Sequence, residues 1–206
     1  SGINQRINLV HRQEISYTEP AVNPFETALD HLTNADGVID NVHTLRNTYK
    51  ADLVSLFIAS TQYCGIAWHM AEVSPAFETH GYSVISTDCA TGYYSFAHEM
   101  GHNMGARHDW YVDSGTTPYA YAHGYVYTGS PAWRTIMAYS NACGGCTRLQ
   151  YFSNPNRTYN GQPMGVPEGQ SQPADNRRTL NNTAYTVANF RTGGSSTITK
   201  PTLVTP

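Results

Sequence analysis

An α+β fold is what the order of apolar patterns along these 206 residues predicts. Two strand-like runs stand in the first half, at 53–59 and 82–87. Helical spacing frames them, at 25–32 and 38–49 before, and at 93–105 and 174–190 after. The stretch 110–160 is rich in Gly, Pro and aromatics and reads as loop.

Residues 7–10 and 15–17 read as extended segments, and Pro20 and Pro24 then punctuate a loop. The helices at 25–32 and 38–49 are separated by the turn-prone Asn34-Ala35-Asp36-Gly37. In the second, Val38, Val42, Leu45 and Tyr49 recur every three or four residues and predict one apolar stripe. The dense apolar run 53–59 suits a buried central strand. The run 82–87 alternates and is rich in β-branched residues, so it suits a half-buried or edge strand. A helix over 93–105 ends at a glycine, and the last helix, 174–190, has Asp175 as its expected N-cap. Gly193-Gly194-Ser195-Ser196 has linker composition. One domain over 1–191 and a linker-like tail over 192–206 are therefore expected.

Composition narrows the class. Apolar residues make up 40% and charged residues only 13%, with polarity supplied by Asn, Thr, Ser, Gln and 15 Tyr. A net charge of −3 offers no basic surface for nucleic acid or anionic lipid. The longest uninterrupted apolar stretch, 56–59, is far too short to span a bilayer. No charged-then-apolar leader opens the sequence, so any signal peptide is expected either to have been removed or to lie outside this sequence. Cys64, Cys89, Cys143 and Cys146 allow three pairings. The pairing Cys64–Cys89 with Cys143–Cys146 is favoured because only two glycines separate the last pair. The alternatives are four free thiols, a four-cysteine zinc site and a redox C-x-x-C. An oxidising compartment is the better reading.

Residues 98–109 read H-E-M-G-H-N-M-G-A-R-H-D. His98 and His102, four apart on a helix, lie about 40° apart around its axis and one turn along it. Both imidazoles can therefore meet one ion. Glu99 sits beside that point, where its carboxylate can take a proton from metal-bound water. His108 cannot reach the ion from the same straight helix. Gly105 supplies the break, because glycine tolerates positive φ at a helix end. Three neutral nitrogen ligands leave a fourth position open, the arrangement of a catalytic Zn2+ site.

H-E-x-x-H-x-x-G-x-x-H resembles the metzincin zinc-peptidase signature. Ile136-Met137-Ala138-Tyr139, with its methionine 29 residues after His108, resembles that family's Met-turn, in which Met137 would form an apolar floor. Asp109 resembles the residue that fixes the turn in the reprolysin (adamalysin-like) branch. Cys64-Gly65-Ile66-Ala67, the string 89–96 and Tyr151-Phe152-Ser153-Asn154-Pro155 are similar to bacterial peptidyl-Asp metallopeptidase-like proteins, over residues 1 to about 191. The resemblance implies a metzincin fold: a mixed twisted sheet in an α/β-like upper part, a zinc-binding active-site helix, a Met-turn and a C-terminal helix. It also implies a secreted, extracellular bacterial endopeptidase, a propeptide in the precursor, protein or peptide substrates and a monomer. Two departures stand out. Tyr139, two after the methionine, looks more like astacins and serralysins, where such a tyrosine ligates zinc and stabilises the oxyanion; otherwise it is a pocket-wall aromatic. Ser1 resembles a point inside the family domain, after a first strand and helix; if nothing precedes it, the sheet is expected to lose a strand or to have another segment in its place.

In metzincins the substrate lines up along an edge strand, and Tyr82, Ser83, Val84, Ile85 and Ser86 are the candidates for that role. Arg148, in the loop after the Met-turn, is the candidate partner for an acidic side chain after the scissile bond; the plainer reading is a solvent-exposed arginine. No D-x-D-x-D-G-type loop indicates Ca2+. The competing readings are a metzincin-shaped binding or adhesion module that has lost activity, and a zinc hydrolase of non-peptide substrates. Intact Glu99 speaks against the module.

Overall fold

Phe25, Ala28, Leu29 and Leu32 follow the i, i+3, i+4, i+7 rule, and all four are buried on one face of helix α1 (Pro24–Thr33). These relations come from a computed structural model, which describes residues 1–191; the expected tail over 192–206 lies outside the described residues. Pro24 opens α1, where its fixed φ suits the helix and its missing N–H costs nothing. The buried face of α1 meets Leu56, Ile58, Tyr82 and Val84 of a three-stranded sheet. Each large side chain buried this way contributes about 1.5–3 kcal/mol.

The second helix departs from its apolar pattern. α2 begins only at Asn41 and runs Asn41–Tyr49. The Asp40 carboxylate accepts from the Asp36 and Gly37 amides at 3.0 and 2.9 Å, which holds 36–40 as a turn. Val38 and Tyr49 are exposed, so the expected stripe is not the buried face. Arg46 is buried instead, donating to the carbonyls of Ala51 and Asp52 and lying 4.6 Å over the Tyr82 ring. The segments 7–10 and 15–17 belong to no sheet: Ile7 and Leu9 face solvent, while Ile15 and Tyr17 pack on the core.

The sheet contains β1 (Val54–Ile58), β2 (Gly65–Ala67) and β3 (Tyr82–Ser86) in the order β1-β3-β2. β1 runs parallel to β3, and β2 antiparallel. This corrects both strand expectations. The apolar run 53–59 is an edge strand with Phe57 exposed, and 82–86 is the central strand with all five residues buried. The serines of β3 look like a solvent face but are not one; the Ser83 hydroxyl pairs with that of Ser55 at 2.8 Å.

Helix α3 (Ser95–Asn103) lies below the sheet. The Asn103 side chain ties the two together by donating to the carbonyls of Trp68 and Tyr82 at 2.8 and 3.0 Å. The lower half of the chain is mostly loop. It holds β4 (Val126–Tyr127), β5 (Trp133–Arg134) and β6 (Thr147–Arg148) in one small sheet, and the hairpin β7 (Asn154–Tyr159) with β8 (Gln162–Met164). Helix α4 (Asn176–Val187) closes the domain, N-capped as expected by Asp175, which accepts from the Arg178 amide at 2.9 Å. Leu180, Ala184 and Val187 of α4 join Met104, Ile136 and Met137 in a second core under α3. Both expected disulfides are present, Cys64–Cys89 and Cys143–Cys146. No helix among the described residues is long and apolar enough to cross a membrane.

Candidate active site

The backbone bend at Gly105 is what completes the site. Gly105 has φ +85°, and a Cβ there would stand 2.8 Å from Pro118 Cγ. Beyond it the Ala106 amide donates to Gly101 O at 2.8 Å and the Gly105 amide to His102 O at 2.9 Å, the two bonds of a Schellman closure. The chain turns back, and the His108 ring arrives beside the two rings on α3.

The three Nε2 atoms form a near-equilateral triangle. His98 lies 3.1 Å from His102 and 3.1 Å from His108, and His102 lies 3.0 Å from His108. Their opposite nitrogens fix the tautomer in two cases: His98 Nδ1–H donates to Ile136 O and His102 Nδ1–H to Ala106 O, both at 2.9 Å. That leaves the Nε2 lone pairs of His98 and His102 facing His108 Nε2, a donor set suited to a cation. Burial holds His98 and His102 well below the ordinary imidazole range, with their histidine neighbours adding to it, and takes His108 to about 4. Neutral imidazoles at this spacing fit a zinc ion about 2.0–2.1 Å from each, with the cleft on the open side.

Glu99 is buried at the cleft wall, and burial pushes its carboxyl up to about 8, against a smaller opposing pull from Arg148. Met137 is fully buried beneath α3; a Cβ on Gly101 would stand 2.7 Å from its sulfur, so the helix can rest on the methionine only because residue 101 is glycine. The Asp109 carboxylate accepts from the Tyr111 amide at 3.1 Å and from the Tyr139 amide at 2.8 Å, which joins the third-histidine loop to the methionine turn. The Tyr139 ring lies 4.3 Å from that of His108 and 6.1 Å from that of His98, and it lines the cleft.

Arg148 is not solvent-exposed. It sits in β6 with Nη1 donating to Tyr93 O at 2.8 Å, and its buried Nε has no partner. No carboxylate pairs with it among the described residues. Burial and then Arg134 lower it to about 10, while Tyr139 and Glu99 act in the opposite sense.

One expectation is overturned. Tyr82, Ser83, Val84, Ile85 and Ser86 cannot receive an added strand, because β1 and β2 already occupy both hydrogen-bonding edges of β3. Of the sheet's two outer strands, β2 is the one at the cleft: Gly65, Ile66 and Ala67 line the cavity of about 300 Å³ beside the histidines, with their outer edge free. Its three residues are too few for a period to show. The spacing also gives no sign of His69 or of the Arg107–Asp113 pair, at 2.7 Å, which line the same cleft. Nor does it reveal fully buried His123, whose ring nitrogens lie 2.7 Å from His108 O and 2.8 Å from Gly115 O.

Comparison with known proteins follows the same line. A family model described as metallopeptidase family M12, of the reprolysin type, matches residues 2–153. A Stenotrophomonas maltophilia (strain R551-3) protein named peptidyl-Asp metalloendopeptidase is 45% identical over 194 residues, covering 93% of this chain and 44% of the relative. One of the same name from Pseudomonas fragi is 39% identical over 188 residues, covering 91% of this chain and 94% of the relative. The chain thus spans less than half of the first relative and nearly all of the second. A chain from a structure of a chaperone–substrate complex superposes with a TM-score of 0.58 at 19% identity, covering 86% of this chain and 29% of that one, a likeness of fold alone.

Proposed function

The chain belongs to metallopeptidase family M12, and from that premise we propose that it is the catalytic domain of a secreted zinc endopeptidase. The observation that carries the reading is the triangle of three Nε2 atoms at 3.0–3.1 Å with buried Glu99 beside it in one cleft. His98, His102 and His108 would hold the ion. Zinc, when bound, polarises a carbonyl and lowers the pKa of its water.

The remaining work falls to the chain. An extended peptide adds antiparallel to the free edge of β2, which aligns it by main-chain hydrogen bonds. Glu99 takes a proton from the attacking water on its carboxylate and returns it to the leaving amine, a role worth roughly 10²–10⁴-fold in rate. The Tyr139 hydroxyl donates to the oxygen that gains negative charge. Gly105, Asp109 and Met137 support the ligands. Arg148 pairs with an acidic side chain after the scissile bond; its unpartnered Nε and the relatives' name, peptidyl-Asp metalloendopeptidase, support this. Residues 1–191 form the domain and act as a monomer. Two disulfides favour an oxidising, extracellular setting, with a propeptide in the precursor.

Casein hydrolysis should stop with a chelator, return with zinc and be absent in Glu99→Ala. A protein that binds one zinc per chain yet cleaves neither casein nor a mixed peptide pool would replace this reading with a binding module.

A further inference from the structure

Gly65 opens β2, one residue after the Cys64–Cys89 disulfide ties that end of the strand down. Its register with Ile85 of β3 is regular, and its φ lies outside the left-handed region. Neither the strand nor a turn therefore asks for a glycine here. The neighbouring side chain does. A Cβ at position 65 would stand 2.5 Å from Glu99 Oε1, 2.6 Å from Cγ and 2.8 Å from Cδ. All three distances are shorter than the 3.0 Å below which real Cβ atoms essentially never approach. Other glycines of the site differ. A Cβ on Gly101 would meet the Met137 sulfur inside the core, and Gly105 is needed for its positive φ.

We infer that Gly65 is a positioning residue: the space left by its missing side chain is the seat of the Glu99 carboxylate. A methyl group in that space forces Glu99 to swing from its Cγ outward, because Cγ itself would stand 2.6 Å away. The same rotation takes the carboxylate away from the reacting water. Position 65 therefore acts on the proton-transfer group without touching a histidine ligand. The inference rests on Glu99 being the base, and the control below tests that reading independently.

The experiment compares zinc-loaded parent, Gly65→Ala, Glu99→Ala and the Gly65→Ala/Glu99→Ala double variant. Zinc per chain, thermal midpoint, kcat and KM on one peptide are measured for each. In Gly65→Ala, zinc and midpoint should match the parent and KM should stay within about twofold. Its kcat should fall about 10²-fold, a large part of what a general base is worth. In the Glu99→Ala background nothing beyond Cβ occupies the seat, so there the added methyl should change the residual rate by less than about threefold, a coupling that a strand defect would not produce. Gly65→Ala with kcat within threefold of the parent, while Glu99→Ala is inactive, overturns the inference and leaves the base intact. So does an additive cycle, or a kcat loss that follows a loss of zinc or midpoint. A fully active Glu99→Ala instead removes the base reading, and this inference with it.

Discussion

Beneath the three histidines the supporting side chains are held by packing and by main-chain hydrogen bonds. Met137 is wholly buried between α3 and α4, His98 and His102 are latched to main-chain carbonyls, and the Asp109 carboxylate spans two loops. Along the rim the opposite holds. β2 is paired on one side only, Tyr139 is two-fifths exposed, and Arg148 has one main-chain partner and a bare Nε. The disulfides stand at this rim, Cys64 just before β2 and Cys146 just before β6, where little packing is available. The contrast separates two tasks. A floor determined several times over preorganises ligands, and a rim with unused hydrogen-bonding capacity leaves groups for substrate.

If the floor is held by packing, its loss should cost the most. Met137→Ala should destabilise the zinc-free protein by about 2–5 kcal/mol, read from denaturant unfolding. A change under about 1 kcal/mol would mean that the histidines do not depend on what lies below them.

Glu99 sits where floor meets rim, and its burial works against the fold. Burial pushes its carboxyl up to about 8 in the folded protein, from an ordinary value of about 4.5. Between those values the folded state holds a proton that the unfolded state has lost. Zinc-free stability from this group is therefore full below about 4.5, falls as pH rises, and is lost by about 8. In chelator, Glu99→Gln should accordingly be more stable than the parent at pH 8, on the order of a few kcal/mol, and nearly equal to it near pH 4.5. A gap that is the same at both pH values would contradict the buried, protonated carboxyl.

The floor was also the legible part of the molecule. A four-residue histidine spacing, a glycine three further on and a third histidine are local features, and helix geometry converts them directly into positions. Sheet order is not local. Phe57 is apolar yet exposed on an edge, while Ser83 and Ser86 are polar yet buried in the centre, so single-strand patterns exchanged the two roles. β2 carries the free edge with three residues and no alternation to detect. Arg46 was hidden for a related reason: the partners of its guanidinium, the Ala51 and Asp52 carbonyls, appear only once the chain has turned past α2. Residues placed by long-range pairing leave no period in the sequence.

The smallest effect, and the one that most sharpens the division, belongs to Arg148. A half-buried guanidinium without a carboxylate costs desolvation that its one main-chain hydrogen bond, to Tyr93 O, offsets only in part. Arg148→Met should therefore leave the thermal midpoint unchanged or raise it. In the same variant the preference for an acidic residue after the scissile bond, as a ratio of kcat/KM for matched acidic and neutral peptides, should fall about 10-fold or more, the worth of one charge-assisted pair. Arg148→Lys should keep part of the preference, since an ammonium keeps the charge but not the planar fork. If Arg148→Met unfolds more readily and cleaves with the parent's selectivity, the arginine belongs to the floor, holding Tyr93 at the start of α3, and the rim must draw its selectivity from elsewhere.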